Sequence, residues 1–256
     1  MDSLKIIGNN KLRGTIQISG AKNAALPLMA CSLLLDSGEL NLSSMPDLAD
    51  TKSMSLLLYS LGIEVKNNNN ITTLLGEPKS HIATYDIVRK MRASVLVLGP
   101  LLTRCGIAKV SLPGGCSIGT RPVDLHIKAF ELMGAKITLS EGYIEAKAPK
   151  NGLYGAEIIF PKKSVGATEN TIMAATLAKG KTTIFNAAKE PEIVDLSNCL
   201  NSMGANITGA GTNTITIEGV NALHGCSHKV ISDRIEAGSF AIAAAMTGGE
   251  LELTDC

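Results

Sequence analysis

The chain has no tryptophan, and only four tyrosines and four phenylalanines among its 256 residues. That is too little aromatic surface for a base-stacking nucleic-acid platform. The core has to be built from Leu, Ile, Val, Ala and Met instead. An excess of either charge is also missing: 24 Lys and Arg stand against 23 Asp and Glu. Nothing therefore draws the chain toward nucleic acid or an anionic membrane. No apolar run reaches the length of a membrane span, and the longest, Ser94–Leu102, is interrupted by Gly99 and Pro100. The opening Met1-Asp2-Ser3-Leu4-Lys5 lacks the basic flank and apolar segment of a secretory signal, so the cytoplasm is the expected compartment. Six cysteines, at 31, 105, 116, 199, 226 and 256, form no Cys-x-x-Cys pair and have no His at metal-ligand spacing. No metal site is expected, and most of these thiols read as small buried hydrophobes.

What is present is a repeat. An amphipathic helix ending in Gly and running straight into a strand occurs at Leu58–Val65, again at Phe130–Ile137 and again at Leu200–Ile207. Its glycines are Gly62, Gly134 and Gly204, each suited to the left-handed position just past a helix end. A hairpin is expected after each, as in Lys136–Leu139 turning through Glu141-Gly142 into Tyr143–Ala146. A second series interleaves with the first: helices ending at Gly38, Gly106, Gly180 and Gly248 feed the strands Glu39–Leu42, Ile107–Leu112, Thr182–Phe185 and Glu250–Thr254. The chain thus reads as three α/β units of helix–strand–helix–hairpin and half of a fourth. No Gly-rich Rossmann or Walker fingerprint is present.

One unit breaks the pattern. From second-series to first-series glycine the distance is 24 residues in units one and three (Gly38 to Gly62, Gly180 to Gly204) but 28 in unit two (Gly106 to Gly134). The excess falls in Leu112-Pro113-Gly114-Gly115-Cys116-Ser117-Ile118-Gly119-Thr120-Arg121-Pro122. Gly-rich insertions into a regular scaffold usually serve a site. Arg121 stands five residues after Cys116, and a nearby cation favours the thiolate. Cys116 is therefore a candidate nucleophile or proton donor, the plain alternative being an exposed loop thiol.

Cations and polar groups also collect at helix starts: Ser19–Asn23, Arg89–Ser94, Lys162–Thr168 and Ser232–Arg234. Lys or Arg there opposes the helix dipole, which makes sense where an anion occupies the free N–H groups. Any one of them read alone is an ordinary solvated cation. The recurrence points to a small, highly anionic ligand, such as a phosphate or carboxylate compound, alone or with a nucleotide diphosphate.

Four segments carry a resemblance: Gly20–Pro27, Met91–Ser94, Leu112–His126 and Ser164–Asn170. They resemble the enolpyruvyl transferase family, in its branch that acts on a sugar nucleotide at the start of peptidoglycan precursor synthesis. The likeness runs from the N-terminus through Ser232–Gly238. It implies an α/β fold of repeated βαβαββ-type units, three forming one inside-out α/β lobe, plus a partial second lobe. The first lobe would span 21–230, with 1–20 and 231–256 belonging to the second.

The implied reaction transfers the enolpyruvyl group of phosphoenolpyruvate to the 3′-hydroxyl of UDP-N-acetylglucosamine, with no metal and no organic cofactor. The implied roles are Cys116 as proton donor and pyruvate-adduct site, and Lys22, Asn23 and Arg121 on phosphoenolpyruvate. Arg92, Arg121, Pro122, Val123, Asp124, Leu125, Lys162, Lys163, Ser164 and Val165 would line the UDP-N-acetylglucosamine site. No nucleic acid, membrane or obligate protein partner is implied. Because Ala241–Met246 would lack cover in a half-unit, the chain is expected to be the N-terminal part of a longer protein and to turn over poorly by itself. A non-catalytic UDP-sugar-binding fragment, the shikimate-pathway enolpyruvyl transferase and a purely structural repeat protein remain alternatives.

Overall fold

Helices that stop at a left-handed glycine and turn at once into a strand shape the computed structural model, which describes residues 3–5, 7–8, 10–68, 70–89, 91–112 and 123–256. The first elements are β1 (Arg13–Gln17), α1 (Lys22–Ala30) continued by a 3-10 turn (Cys31–Leu34), β2 (Leu35–Ser43), α2 (Ala49–Leu61), β3 (Ile63–Asn68) and β4 (Ile71–Gly76). Next come β5 (Ile82–Ala83), α3 (Tyr85–Val88), a second 3-10 turn (Arg92–Val97), α4 (Leu98–Cys105), β6 (Ile107–Ser111), α5 (Asp124–Leu132), β7 (Lys136–Ser140) and β8 (Tyr143–Lys147). The chain continues with β9 (Glu157–Ile159), α6 (Val165–Ala175), β10 (Lys181–Phe185), α7 (Pro191–Ser202), β11 (Asn206–Thr208), β12 (Thr214–Glu218) and β13 (Leu223–Lys229). It closes with α8 (Arg234–Thr247) and β14 (Glu250–Thr254).

The repeat appears as three sheets of one topology: β13-β2-β4-β3, β5-β6-β8-β7 and β9-β10-β12-β11. In each, the first pair is parallel and the other two are antiparallel. The leading parallel strand turns helix–strand–helix–hairpin into a βαβαββ unit. For the first sheet that strand is β13, delivered from beyond the third unit, so the three units close on one another. β1 and β14 pair separately and in parallel, Arg13–Gln17 in register with Glu250–Thr254.

Helices α1, α4 and α6 lie inside and the sheets outside. Residues Ala24–Ala30 of α1, Leu98–Leu102 of α4 and Ala167–Ala175 of α6 are buried without interruption, as befits helices packed on every side. The sheets alternate buried and accessible positions, as in β12 and β8, with one face on this helical core and one in water. One cluster of buried apolar residues extends from Ala21 to Val230.

Gly62, Gly134 and Gly204 take φ of +107°, +93° and +102°. At the latter two the expected paired bonds form: Gly134 N–H to Glu131 with Ala135 N–H to Phe130, and Gly204 N–H to Asn201 with Ala205 N–H to Leu200. Two of the second-series glycines behave differently from expectation. Gly38 ends no helix, since the turn after α1 stops at Leu34 and Gly38 lies inside β2 at φ +80°. It faces a register irregularity of β13, where a Cβ would come 3.1 Å from the amide of Gly225. Gly180 likewise follows the end of α6 by several residues and makes the turn into β10.

Five residues join β2 to α2 and β10 to α7, whereas twelve join β6 to α5. Cys116 and the rest of 113–122 in that connection lie outside the described residues. Of the other cysteines, Cys31 and Cys199 are buried and Cys226 is partly so, whereas Cys105 and Cys256 are exposed. α8 buries none of its side chains, and Ile242 and Met246 stand in solvent. No helix among the described residues is long and apolar enough to cross a membrane.

Candidate active site

Two inner helices, α1 and α6, begin with one of the cationic or polar clusters seen in the sequence, and a third cluster lies in the 3-10 turn ahead of α4. Ala21, at the N-cap of α1, has no side chain that can cap. Its place is taken by Asp233, whose Oδ2 lies 3.4 Å from the Lys22 amide while its Oδ1 accepts from Ile235 at 2.8 Å and Glu236 at 3.1 Å. One carboxylate thus serves the N-termini of both α1 and α8. The crossing segments are further joined by Ala21 N–H to Ile231 O at 2.7 Å and Asp233 N–H to Ser19 O at 2.8 Å. Lys22 Nζ pairs with Asp50 Oδ2 at 3.2 Å, both side chains more than a third exposed. Such a pair adds at most about 1 kcal/mol. Asn23 follows and is exposed.

Arg92 opens a 3-10 turn and not the α-helix expected there; α4 begins only at Leu98. Ser94 Oγ donates to Met91 O at 2.6 Å and closes the turn. Val123 and Asp124 lead into α5, with Leu125 and His126 buried in its first turn. Ser164 caps α6, its Oγ accepting from Ala167 N–H at 3.3 Å. Lys162 and Lys163 stand exposed in the turn before it, and Val165 is partly buried.

Two of these starts meet at His126. Its Nδ1 lies 3.0 Å from Asn170 Nδ2, and Arg92 is close enough for its charge to act on the ring. Burial first, and then Arg92, hold the imidazole down at about 4, against the opposing pull of Asp124. A Cβ on Gly166, in the first turn of α6, would be 3.5 Å from His126 Cε1 and 3.6 Å from Nε2. Asn170 is wholly buried: its Oδ1 accepts from Gly99 N–H at 2.8 Å and its Nδ2 donates to Val95 O at 2.9 Å. Asn170 therefore ties α6 to the Arg92 turn, α4 and α5 at once.

Beside it on α6, Glu169 is buried and its Oε1 has no hydrogen-bond partner among the described residues. Burial, reinforced by the carboxylates of Glu192 and Glu190, pushes it up to about 8. It is a protonated acid at neutral pH.

The structure thus brings Arg92, Asp124, His126 and the start of α6 together, and places Lys22 and Asn23 at the start of α1, which also packs against the Arg92 turn. Cys116, Arg121 and Pro122 lie outside the described residues; the chain resumes at Val123, directly before α5. Sequence reasoning singled out neither His126, Asn170 nor Glu169. The signal that could have found them was the run Thr168-Glu169-Asn170-Thr171, four polar residues in a helix with no solvent face. Among the described residues no group of three or more His, Cys, Asp or Glu could hold a metal ion.

Comparison with known proteins gives a consistent picture. The family model for EPSP synthase (3-phosphoshikimate 1-carboxyvinyltransferase) matches residues 6–256. A protein of Rhodospirillum centenum named UDP-N-acetylglucosamine 1-carboxyvinyltransferase is 57% identical over 264 residues, covering 99% of this chain and 61% of that protein. One of the same name from Caulobacter vibrioides is 58% identical over 260 residues, covering 100% and 60%. Among solved structures, the enolpyruvyl transferase NikO of Streptomyces tendae superposes with a TM-score of 0.81 at 21% identity, over 92% of this chain and 56% of that one. An EPSP synthase of Acinetobacter baumannii gives 0.75 at 20% identity, over 96% and 56%. These structures share the fold. The chain spans about 60% of the length of the curated relatives it matches.

Proposed function

The chain belongs to the EPSP synthase family of carboxyvinyltransferases, and from that premise we propose that the protein transfers the enolpyruvyl group of phosphoenolpyruvate to the 3′-hydroxyl of UDP-N-acetylglucosamine. The observation that carries this reading is 57–58% identity, over nearly the whole chain, to proteins bearing that activity in their name. The shikimate-pathway reaction is the weaker reading, since the EPSP synthase structures stand at only 19–20% identity.

In the proposed reaction a proton passes from the Cys116 thiol to the methylene carbon of phosphoenolpyruvate. The sugar hydroxyl adds to the adjacent carbon as its proton passes to the phosphate group, and loss of phosphate, with a methyl proton returning to the Cys116 thiolate, restores the double bond. The developing and departing charge needs fixed cations. Lys22, exchanging Asp50 for substrate, and Arg121 supply them, with Asn23 beside Lys22. Arg92, Pro122, Val123, Asp124, Leu125, Lys162, Lys163, Ser164 and Val165 hold the sugar nucleotide, its diphosphate at the start of α6. Residues 21–230 form the first lobe, and 1–20 with 231–256 belong to the second, a division supported by the separate β1–β14 pair. The reaction calls on no metal, and the compartment is the cytoplasm.

Even at the poor turnover expected of the chain by itself, phosphate release from phosphoenolpyruvate in the presence of UDP-N-acetylglucosamine tests the reading. Cys116→Ala is expected to slow it by about 10²-fold or more, the usual contribution of a positioned proton donor. Release that depends on shikimate 3-phosphate, or that survives the substitution unchanged, would overturn it.

A further inference from the structure

We infer that Asn170 is a positioning residue that fixes His126 as the neutral tautomer carrying its proton on Nε2, so that the ring presents one uncharged N–H donor at the first turn of α6. The tautomer follows from hydrogen-bond geometry within the chain alone. That this donor serves the diphosphate of the sugar nucleotide rests on the proposed function.

Two backbone groups around Asn170 have a hydrogen-bonding sense that is not open to choice. Gly99 N–H can only donate, and it reaches the Asn170 side chain at 2.8 Å; Val95 C=O can only accept, and it is reached at 2.9 Å. Together they settle which end of the amide is oxygen and which is nitrogen. The second proton of Asn170 Nδ2 is then left facing His126 Nδ1 at 3.0 Å. Nδ1 must offer a lone pair, so the ring proton is on Nε2. A doubly protonated ring would set N–H against N–H inside the core.

The surroundings act in the same direction. The ring is buried, and among the described residues the charged groups acting on it are Arg92 from the 3-10 turn and Asp124 from its own helix. From α6 it meets Gly166 and Asn170, both uncharged. Burial and the Arg92 charge outweigh Asp124, and the ring stays neutral. The edge bearing Nε2 lies over Gly166, where a Cβ would rest in ordinary contact 3.6 Å from Nε2. A neutral N–H there strengthens an anion site without adding a charge that titrates near neutrality.

The test is ring ¹⁵N NMR of His126 in the ligand-free chain, with UDP-N-acetylglucosamine affinity measured alongside. In the wild type, Nε2 is expected to carry the proton, with no titration between about pH 8 and about 5.5. A proton on Nδ1, or titration near the ordinary histidine value, would overturn the inference, and this measurement needs no variant. Asn170→Asp keeps the Gly99 bond and turns the donor into an acceptor, so Nδ1 gains a proton and the ring titrates above its ordinary value of 6.5. Affinity for the sugar nucleotide, flat with pH in the wild type, then tightens as pH falls, by up to about tenfold per pH unit. A folded Asn170→Asp protein with unchanged tautomer, or with affinity as flat as the wild type, would also overturn it. A wild type with the expected tautomer that binds no UDP-N-acetylglucosamine would instead count against the proposed function.

Discussion

Glu169→Gln is expected to raise the thermal stability of the protein above neutral pH and to flatten its pH dependence. Glu169 sits in α6 among inner helices, its Oε1 unpartnered among the described residues and its acidity suppressed to about 8 from an ordinary 4.5. The unfolded chain gives up this proton near 4.5, whereas the folded chain holds it until about 8. Stability from this group is therefore complete below about 4.5 and is lost as pH rises through 8. A tenfold difference in acidity between the two states corresponds to about 1.4 kcal/mol, so several kcal/mol are at stake. Glutamine keeps the shape of the protonated acid without an ionisable proton, though its extra N–H costs about 1–3 kcal/mol if left unpaired. The net gain at pH 8.5 is expected to be about 2 kcal/mol, or roughly 4–8 °C in melting temperature for a chain of this size. At pH 5 the advantage disappears. Melting curves at the two pH values check this; parallel wild-type and variant profiles would show that Glu169 ionises freely in the fold.

Gly99→Ala is expected to damage stability and the site together. Gly99 lies in α4 where α6 crosses it, and a Cβ there would fall 2.5 Å from the carbonyl oxygen of Asn170 and closer still to its Oδ1, with Phe130 Cζ 3.3 Å away. Two of those three neighbours are backbone or fully bonded amide, so neither can swing aside. Overpacking of this kind costs about 1–3 kcal/mol and occasionally more. The upper end applies here, equivalent to a fall of roughly 6–12 °C in melting temperature. The displaced Asn170 would also release His126 and Val95, so binding of the sugar nucleotide should weaken beyond what the loss of folded protein explains. Calorimetry of folding and of ligand binding separates the two effects; a variant with both unchanged would mean that α4 and α6 can slide apart at this crossing.

The glycine rhythm makes much of the fold legible in the sequence. Gly62, Gly134 and Gly204 each stand where only a left-handed residue lets a helix turn straight into a strand. Gly38 has the same dihedral sign for another reason, a strand irregularity opposite Gly225, and local sequence does not separate the two uses. The leading strands are hidden because β5 and β9 span only two and three residues and β13 mixes Gly, His and Ser. At the site, Lys22 and Ser164 announce themselves as residues at helix starts. Arg92 also stands out as a candidate, but its surroundings read as an α-helix where the chain makes a 3-10 turn. The His126–Asn170 pair is invisible, because 44 residues separate partners that only the packing of α5 on α6 brings together. Glu169 falls just past the Lys162–Thr168 cluster that reads as anion-binding. Its burial follows from the position of α6 inside the lobe, which local composition does not encode.

The start of α5, the start of α6 and Arg92 together make up the proposed sugar-nucleotide site, and on that grouping the rest depends. Backbone amide NMR of the chain titrated with UDP-N-acetylglucosamine is the decisive experiment. Saturable shifts are expected at Asp124, Leu125, Ser164 and Val165, with affinity falling about tenfold or more in Arg92→Ala, as loss of a charge-assisted hydrogen bond implies. An absence of shifts at those amides, or the same response in the wild type and in Arg92→Ala, would contradict it.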